Sequence, residues 1–451
     1  MRLSSIIRAV NARVSGPAKE CFIHSFSTDS RTIKTGELFI ALNGKNFQGS
    51  EFIPDAVKKG AAAVITDICP NCHILKKIPV LFVQNSENAL ALIAKEHRRA
   101  FDIPFICVVG SNGKTTTKDL ISHILSAKYN VLKTEANYNN LIGVAKTLLR
   151  LRGHNAAVIE AGSNSPGEIS RSASIIRPDI VITTNIGMSH LQGLKTLAGV
   201  LKEKTAMVKA LPRDGVWVKN FDDKMLMTVR YKGIREIGFA LSHTRACFRA
   251  RRIRQGWDGT SFCVNSEAFF LPLIGTHNVY NAAAAIAVSS LFMDIGLIKE
   301  AISSFKASPG RMQIDVCRGG FRLINDTYNA NPASLVSAVS ALKSQSRHGK
   351  NYIVCADMLE LGNRADKLHY ACGKFIAKSK AADLLVLFGS HINSMAKGAS
   401  DGGMKNSDIK IFKDKMEIVD FFRRRITKGD TVLVKGSRSM RMEEIVSGLS
   451  G

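Results

Sequence analysis

Short apolar runs alternate with helix-spaced polar and apolar residues along most of the chain. The spacing predicts a first amphipathic helix with Leu3, Ile6, Ile7 and Val10 on one face. Residues 36–67 then read as a strand over 38–42, a helix over 53–59 and a strand over 62–66. A strand over 79–83 follows, then a helix over about 87–99. From Pro104 the alternation is larger: a buried strand over 105–109 ends in a glycine turn and leads into a helix over 115–128. Further strands lie at 156–159 and 179–183.

A β-rich stretch over about 216–273 interrupts this pattern, which restarts after Pro309-Gly310-Arg311. Strands at 321–324, 351–356, 383–388, 409–412 and 431–434 are separated by helices. Apolar runs spaced by ~10–15-residue helices predict parallel, doubly wound sheets. The expected fold is therefore α/β in three domains. These are a small N-terminal α/β domain over 1–85, a central domain over 86–310 with a parallel sheet plus the β-rich section, and a Rossmann-like doubly wound C-terminal domain over 311–451.

The 451-residue length agrees with several domains and excludes a small disulfide-stapled scaffold. With 45% apolar and 22% charged residues, the chain has a globular composition. Lysine and arginine number 63 against 37 acids, a net charge of +26 that invites a nucleic-acid reading. The excess is spread through all three segments and gathers in no tail. Arg245, Arg249, Arg251, Arg252 and Arg254 are its densest cluster, on a strand-like stretch where charge also guards an exposed edge.

The longest greasy stretch, 282–293, falls well short of the ~20 residues of a membrane span. Arg2, Arg8 and Arg13 precede the first acid, Glu20, yet the segment reads as the amphipathic helix and lacks a secretory core. Nine scattered cysteines, an odd number, fit a reducing cytoplasm. Cys69 and Cys72, followed by His73, have no second pair at zinc spacing and do not open a helix, so neither a metal nor a redox site is expected there.

Chemistry concentrates at Gly110-Ser111-Asn112-Gly113-Lys114-Thr115-Thr116, between a strand and a helix. Glycines let backbone amides close round phosphate oxygens. The helix N-terminus adds positive potential, the lysine neutralises β/γ charge and a hydroxyl takes magnesium. Val108 stands where the common phosphate-loop pattern has its first glycine, so this is a shortened relative of that loop. Glu160 follows a strand at the edge where parallel sheets bind ligands, and reads as a direct or water-mediated magnesium ligand. His190, just past another strand, reads alone as a loop residue, and Lys204 in a lysine-rich helix reads as a solvated charge.

The motifs taken together resemble the ATP-dependent Mur ligases. The resemblance rests on the shortened loop, Asn137-Tyr138-Asn139-Asn140-Leu141-Ile142-Gly143-Val144, Glu160, Asn185 through His190, His277-Asn278-Val279-Tyr280-Asn281, Pro309-Gly310-Arg311 and Asp326. Asp29-Ser30-Arg31 with Gly36, Leu38-Phe39-Ile40-Ala41-Leu42 and Gly44 is similar to their uridine-nucleotide-binding domain. The resemblance covers about residues 25–446. Within the family, Tyr328-Asn329-Ala330-Asn331-Pro332, Asp357-Met358-Leu359-Glu360-Leu361-Gly362 and Lys435-Gly436-Ser437-Arg438 match the member that adds a dipeptide.

The resemblance implies a cytoplasmic, monomeric enzyme of peptidoglycan synthesis that ligates D-alanyl-D-alanine to UDP-N-acetylmuramoyl-tripeptide through an acyl phosphate. It implies ATP at Gly110, Ser111, Asn112, Gly113, Lys114, Thr115, Thr116, Asn281, Arg311 and Asp326, with Arg311 on the transferring phosphoryl group. One magnesium falls to Thr115 and Glu160 and a second to His190 and Lys204, the lysine carrying CO₂ as a carbamate, an oxygen ligand of the kind magnesium prefers. Ser30 and Arg31 are implied for the uridine diphosphate, and Asn137, Asn139 and Asn140 for the sugar-peptide end. Asn329 and Asn331 are implied for the dipeptide or the tripeptide terminus, and closure of the C-terminal domain before transfer.

The chain departs from the family pattern at Gln48-Gly49-Ser50, Ala145, Asn325 and Ala206, the last two residues after Lys204. The rival readings are a sister ligase adding another amino acid and, from the charge, a nucleic-acid-stimulated NTPase.

Overall fold

The computed structural model describes residues 1–17, 19–44, 47–69, 77–188, 191–346 and 348–450. Cys72, His73 and His190 lie outside them. The chain forms two compact units. The first comprises Met1–Cys107, Tyr129–Gly162 and Glu168–Asp179, and the second Val108–Lys128, Ser163–Gly167 and Ile180–Gly451.

In the first unit, β1 (Arg13–Ser15), β2 (Phe26–Ser27), β3 (Leu38–Ile40), β4 (Ala63–Thr66) and β5 (Val80–Phe82) form a sheet in the order β1-β5-β4-β3-β2. β1 runs antiparallel to β5 and the other pairs are parallel. β1 and β2 do not show in the hydrophobic pattern, because two or three residues are too few to display a period. Phe39, Ile53, Ala56, Val64 and Val80 form the core beneath this sheet. The predicted first helix is Leu3–Val10, with Leu3, Ile6 and Val10 buried. Helix Ser86–Arg98 begins where the Asn85 side chain accepts the Asn88 N–H at 2.7 Å, satisfying one of the helix's open donors.

The units divide within β6 (Phe105–Val109). Its first half neighbours β8 (Ala156–Glu160), and β8 pairs in parallel with β7 (Val131–Lys133). All residues of β6 and β8 are buried, the reason both read as continuous apolar runs and not as alternation.

In the second unit the sheet continues from β6 through β9 (Ile180–Thr183), β10 (Val216–Asn220), β11 (Arg235–Ala240), β12 (Phe248–Gly256), β13 (Gly259–Val264) and β14 (Glu267–Leu271). β9, β10 and β11 are mutually parallel, so the first strands of the β-rich stretch extend the parallel sheet and do not interrupt it. Which strands pair is a long-range matter that strand periodicity does not carry. β12, β13 and β14 form an antiparallel meander. β12 meets β11 at Phe248 and Arg249, then bulges between Arg251 and Arg254. Arg251, Arg252 and Arg254 are exposed and thus solvated, but β12 lies between β11 and β13 and is not an edge strand. From Asn281 to its end, helix Thr276–Ser289 is buried on every side, with the alanines of 282–285 fully inside.

The C-terminal sheet comprises β15 (Gln313–Val316), β16 (Arg322–Asp326), β17 (Asn351–Ala356), β18 (Leu384–Phe388), β19 (Ile409–Phe412) and β20 (Thr431–Lys435), in the order β15-β16-β20-β17-β18-β19. β15 is antiparallel to β16 and the rest are parallel. Successive side chains take opposite faces. Ile353 and Cys355 pack with helices Pro332–Lys343, Ala365–Ser379 and Ile392–Asp401, while Tyr352 and Val354 pack with Lys415–Arg423 and Glu443–Ser450. β20 inserts between β16 and β17 although it comes last in sequence. Open α/β sheets bind ligands beyond the carboxyl ends of their strands, at reversals of strand order.

No helix among the described residues is long and apolar enough to cross a membrane. Cys21, Cys107, Cys247, Cys263, Cys317, Cys355 and Cys372 are free thiols.

Candidate active site

Within the second unit, β6 runs into Gly110 and the helix Lys114–Leu125 starts at Gly113. Gly110 (φ 143°) and Gly113 (φ 79°) take backbone angles that other residues avoid. A Cβ at Gly110 would strike Thr184 Oγ1, and one at Gly113 would strike Asn281 Oδ1. The loop is braced from below: Ser111 N–H donates to Asn185 O at 2.9 Å, Asn112 N–H to Asn185 Oδ1 at 3.0 Å, and Thr184 Oγ1–H to Asn112 O at 2.6 Å. The Ser111 and Asn112 amides therefore hold the loop's shape. The first intrahelical bond is Thr117 N–H to Gly113 O, at 2.9 Å, so the amides of 114–116 lie at the helix's positive end. Lys114 Nζ folds over the loop, donating to Gly110 O at 3.0 Å.

Several C-terminal residues meet this loop. Arg311 Nη2 donates to Thr115 Oγ1 at 2.8 Å, and its guanidinium lies 3.8 Å from the centre of the Tyr328 ring. Arg311 Nε is buried without a hydrogen-bond partner among the described residues. A guanidinium so placed has a donor in reserve for an anionic oxygen. Asn331 caps helix Pro332–Lys343 through Oδ1, which accepts Ser334 N–H at 2.9 Å, and its Nδ2 donates to Asn112 Oδ1 at 2.7 Å. Asp326, ending β16, pairs with the Lys435 ammonium, which also donates to Asn329 O at 3.0 Å. His277 nearby is half-buried. Desolvation pushes its pKa down to about 4, with Asp326 raising it and Lys435 lowering it.

Lys204 is fully buried, not solvated, and its Nζ donates to Ser163 Oγ at 2.9 Å. Glu203 beside it accepts Gly167 N–H at 2.8 Å, and Ala206 ends helix Leu197–Thr205. The expected partner of Lys204, His190, is outside the described residues.

In the first unit, Glu160 is buried at the end of β8 and accepts from Asn139 Nδ2 at 2.8 Å. Burial beside this carboxylate drives the Cys107 thiol pKa far up. Asn140 is a helix cap, its Oδ1 accepting Gly143 N–H at 2.8 Å, and Asn137 is exposed. The sequence-predicted asparagines thus have different surroundings: one orients a carboxylate, one starts a helix and one faces outward. Ser30 is buried, with its carbonyl receiving Lys59 Nζ at 2.9 Å. Exposed Arg31 forks onto Asp29 at 2.7 and 2.9 Å, and that hydrogen bonding holds the Asp29 carboxyl down to about 2.

The arrangement is a phosphate-binding helix start with a stacked arginine and an amide brought from the C-terminal sheet. Sequence reasoning gave no individual role to Thr184, Ser163, Tyr328, Lys435 or Ser437. The last three sit in motifs it had marked, but their partners lie far along the chain. Among the described residues no group of three or more His, Cys, Asp or Glu side chains is placed to hold a metal. Phosphate oxygens commonly complete a magnesium shell that starts from one or two carboxylates.

Three family models match in order along the chain: Mur ligase family, catalytic domain, over 22–98; Mur ligase middle domain over 108–289; and Mur ligase, glutamate ligase domain, over 310–438. The chain is 33% identical over 456 residues to the UDP-N-acetylmuramoyl-tripeptide--D-alanyl-D-alanine ligase of Bacillus subtilis, covering 99% of this chain and 98% of that one. It is 33% identical over 459 residues to the enzyme of the same name from Escherichia coli, covering 99% and 98%. A crystal structure of MurF from Acinetobacter baumannii superposes with a TM-score of 0.90 at 27% identity, covering 99% of this chain and 98% of that one. MurF of Thermotoga maritima, solved in complex with ADP, gives 0.83 at 25% identity, covering 94% and 97%. With full-length relatives and three α/β domains matched in order, the chain belongs to the Mur ligase family.

Proposed function

We propose that this chain joins D-alanyl-D-alanine to UDP-N-acetylmuramoyl-tripeptide with cleavage of ATP to ADP and phosphate, the closing cytoplasmic step in assembling the peptidoglycan pentapeptide precursor. The observation that carries the reading is the contact of Asn331, in the motif particular to the dipeptide-adding ligase, with Asn112 of the phosphate loop at 2.7 Å. Acceptor-side and phosphate-side machinery are joined there by one side chain.

A carboxylate is a poor acyl donor. Attack of the tripeptide's terminal carboxylate oxygen on the γ-phosphorus releases ADP and leaves an acyl phosphate. The dipeptide amine then attacks the carbonyl carbon, loses a proton, and phosphate departs with the C–O bonding pair. Phosphoryl transfer needs positioning and charge stabilisation above all. Lys114, the helix start at 114–116 and the Arg311 guanidinium supply these, and the buried Nε of Arg311 suits a phosphoryl oxygen. Gly110, Ser111, Asn112 and Gly113 shape the loop, Asn281 supports Gly113 from beneath, and Asp326 serves the ATP side.

Magnesium neutralises phosphate charge when bound. Its preferred donors are hard oxygens, and the Thr115 hydroxyl and the Glu160 carboxylate are each of that kind. A second ion falls to His190 and Lys204, where a carbamate turns a buried cation into an oxygen anion. Ser30 and Arg31 serve the uridine diphosphate, Asn137, Asn139 and Asn140 the sugar-peptide, and Asn329 and Asn331 the acceptor end. The enzyme works as a monomer with domains at 1–85, 86–310 and 311–451, and nucleic acid is not its substrate.

The test is phosphate release from ATP with UDP-N-acetylmuramoyl-tripeptide, ending in diaminopimelate or lysine, against a panel of acceptors. Release with D-alanyl-D-alanine is expected. Release with D-glutamate or diaminopimelate instead, or stimulated by DNA or RNA, would overturn the reading.

A further inference from the structure

We propose that Ser437 is a positioning residue that fixes the spacing of the acceptor pocket by locking together the loops after β16, β17 and β20; the inference rests on the dipeptide-ligase reading above. Ser437 is buried. Its N–H donates to Asp357 O at 3.1 Å, its Oγ accepts Leu359 N–H at 2.8 Å, and its hydroxyl faces Ala330 O at 3.4 Å. One small side chain therefore touches the backbone of both other loops. Asp326 precedes the first loop by a few residues, and Lys435 starts the third.

The β17 loop is also held from its far side. The Asp357 carboxylate accepts Ser390 N–H at 2.6 Å and His391 N–H at 2.9 Å. His369, fully buried, accepts Met358 N–H on Nε2 at 2.9 Å, which leaves Nδ1 to donate to Ala365 O at 2.8 Å. Lys435 Nζ holds Asn329 O at 3.0 Å. Buried polar groups satisfied so completely specify one arrangement.

Exposed side chains ride on this locked base: the Asn329 amide, Leu359, the Glu360 carboxylate and the Arg438 guanidinium. Glu360 is held at φ 63°, a conformation costly for a residue with a Cβ and frequent at binding sites. Carboxylate, amide, apolar and guanidinium groups match in kind a small zwitterion with an ammonium, a peptide bond, methyls and a carboxylate. Ser437 touches none of that ligand and acts through Leu359 and Ala330.

The experiment compares wild type, Ser437→Ala and Ser437→Thr in phosphate release, varying dipeptide and ATP separately. Loss of the hydroxyl should raise KM for D-alanyl-D-alanine about tenfold, the scale of one buried hydrogen bond, with KM for ATP unchanged within about twofold. Ser437→Thr, which keeps the hydroxyl, should restore the dipeptide KM. Unchanged dipeptide KM in Ser437→Ala, or ATP and dipeptide KM rising together, would overturn the assignment alone. A wild type that ignores the dipeptide would overturn the functional reading and this inference with it. Hydrogen exchange on the wild type gives a readout that needs no variant. D-alanyl-D-alanine should slow exchange in peptides spanning 328–332 and 357–362 together, and a change in one without the other would also overturn the assignment.

Discussion

Arg311 donates to the Thr115 hydroxyl at 2.8 Å while its guanidinium stacks on the Tyr328 ring. The planar fork fits both roles, whereas a lysine ammonium has no flat face to stack and no second nitrogen in fixed geometry. Arg311→Lys keeps the charge and should still lower kcat by about 100-fold, the scale of losing one transition-state donor. Steady-state kinetics check this, with thermal melting expected to stay close to wild type.

Asn331 separates two roles in one side chain. Asn331→Asp keeps the oxygen that caps Ser334 N–H but sets a carboxylate against Asn112 Oδ1, so activity should fall by about 10- to 100-fold with the fold intact. Asn331→Ala removes the cap as well, and should cost a further ~1 kcal/mol of stability. Paired denaturant melts and activity assays distinguish the two variants.

His277 makes stability depend on acid. Its folded pKa, about 4, lies below the ~6.5 of an unfolded histidine, so between these values the unfolded chain binds a proton that the folded chain does not. Stability is fully present above pH ~6.5 and is lost progressively as pH falls toward about 4, by ~3 kcal/mol from this group. His277→Gln should flatten that slope in urea melts at stepped pH.

Lys204→Ala should abolish most ligase activity while circular dichroism stays that of the folded chain. A ¹³C resonance of a lysine carbamate, formed from labelled bicarbonate, is expected in the wild type and absent from the variant. Near-normal turnover by the variant would end the second-metal role.

The parallel sheets and the phosphate loop were legible because both write locally. A buried strand is an apolar run, and glycine, lysine and threonine sit within a few residues of one another. What escaped the pattern is long-range. Asn331 meets Asn112 across 219 positions and Lys435 meets Asp326 across 109, and no local period encodes such pairs. Lys204 looked solvated because helix composition does not reveal which face is packed; only the family resemblance placed it in a site, and the structure finds it fully buried. In the asparagine-rich 137–140 segment the Asn140 amide starts a helix, a role no local pattern reveals, since short amides serve caps as readily as ligands.

From Asn281 onward, helix Thr276–Ser289 has no outer face. A helix packed all round is unable to turn about its axis or slip by one residue without opening voids and overlaps elsewhere, so its position is discrete. Asn281 stands on that helix directly under Gly113. The bend that starts the phosphate loop therefore rests on bedrock: whatever moves during turnover must move against this point, and the alanines that let the helix be surrounded are what keep the loop in register.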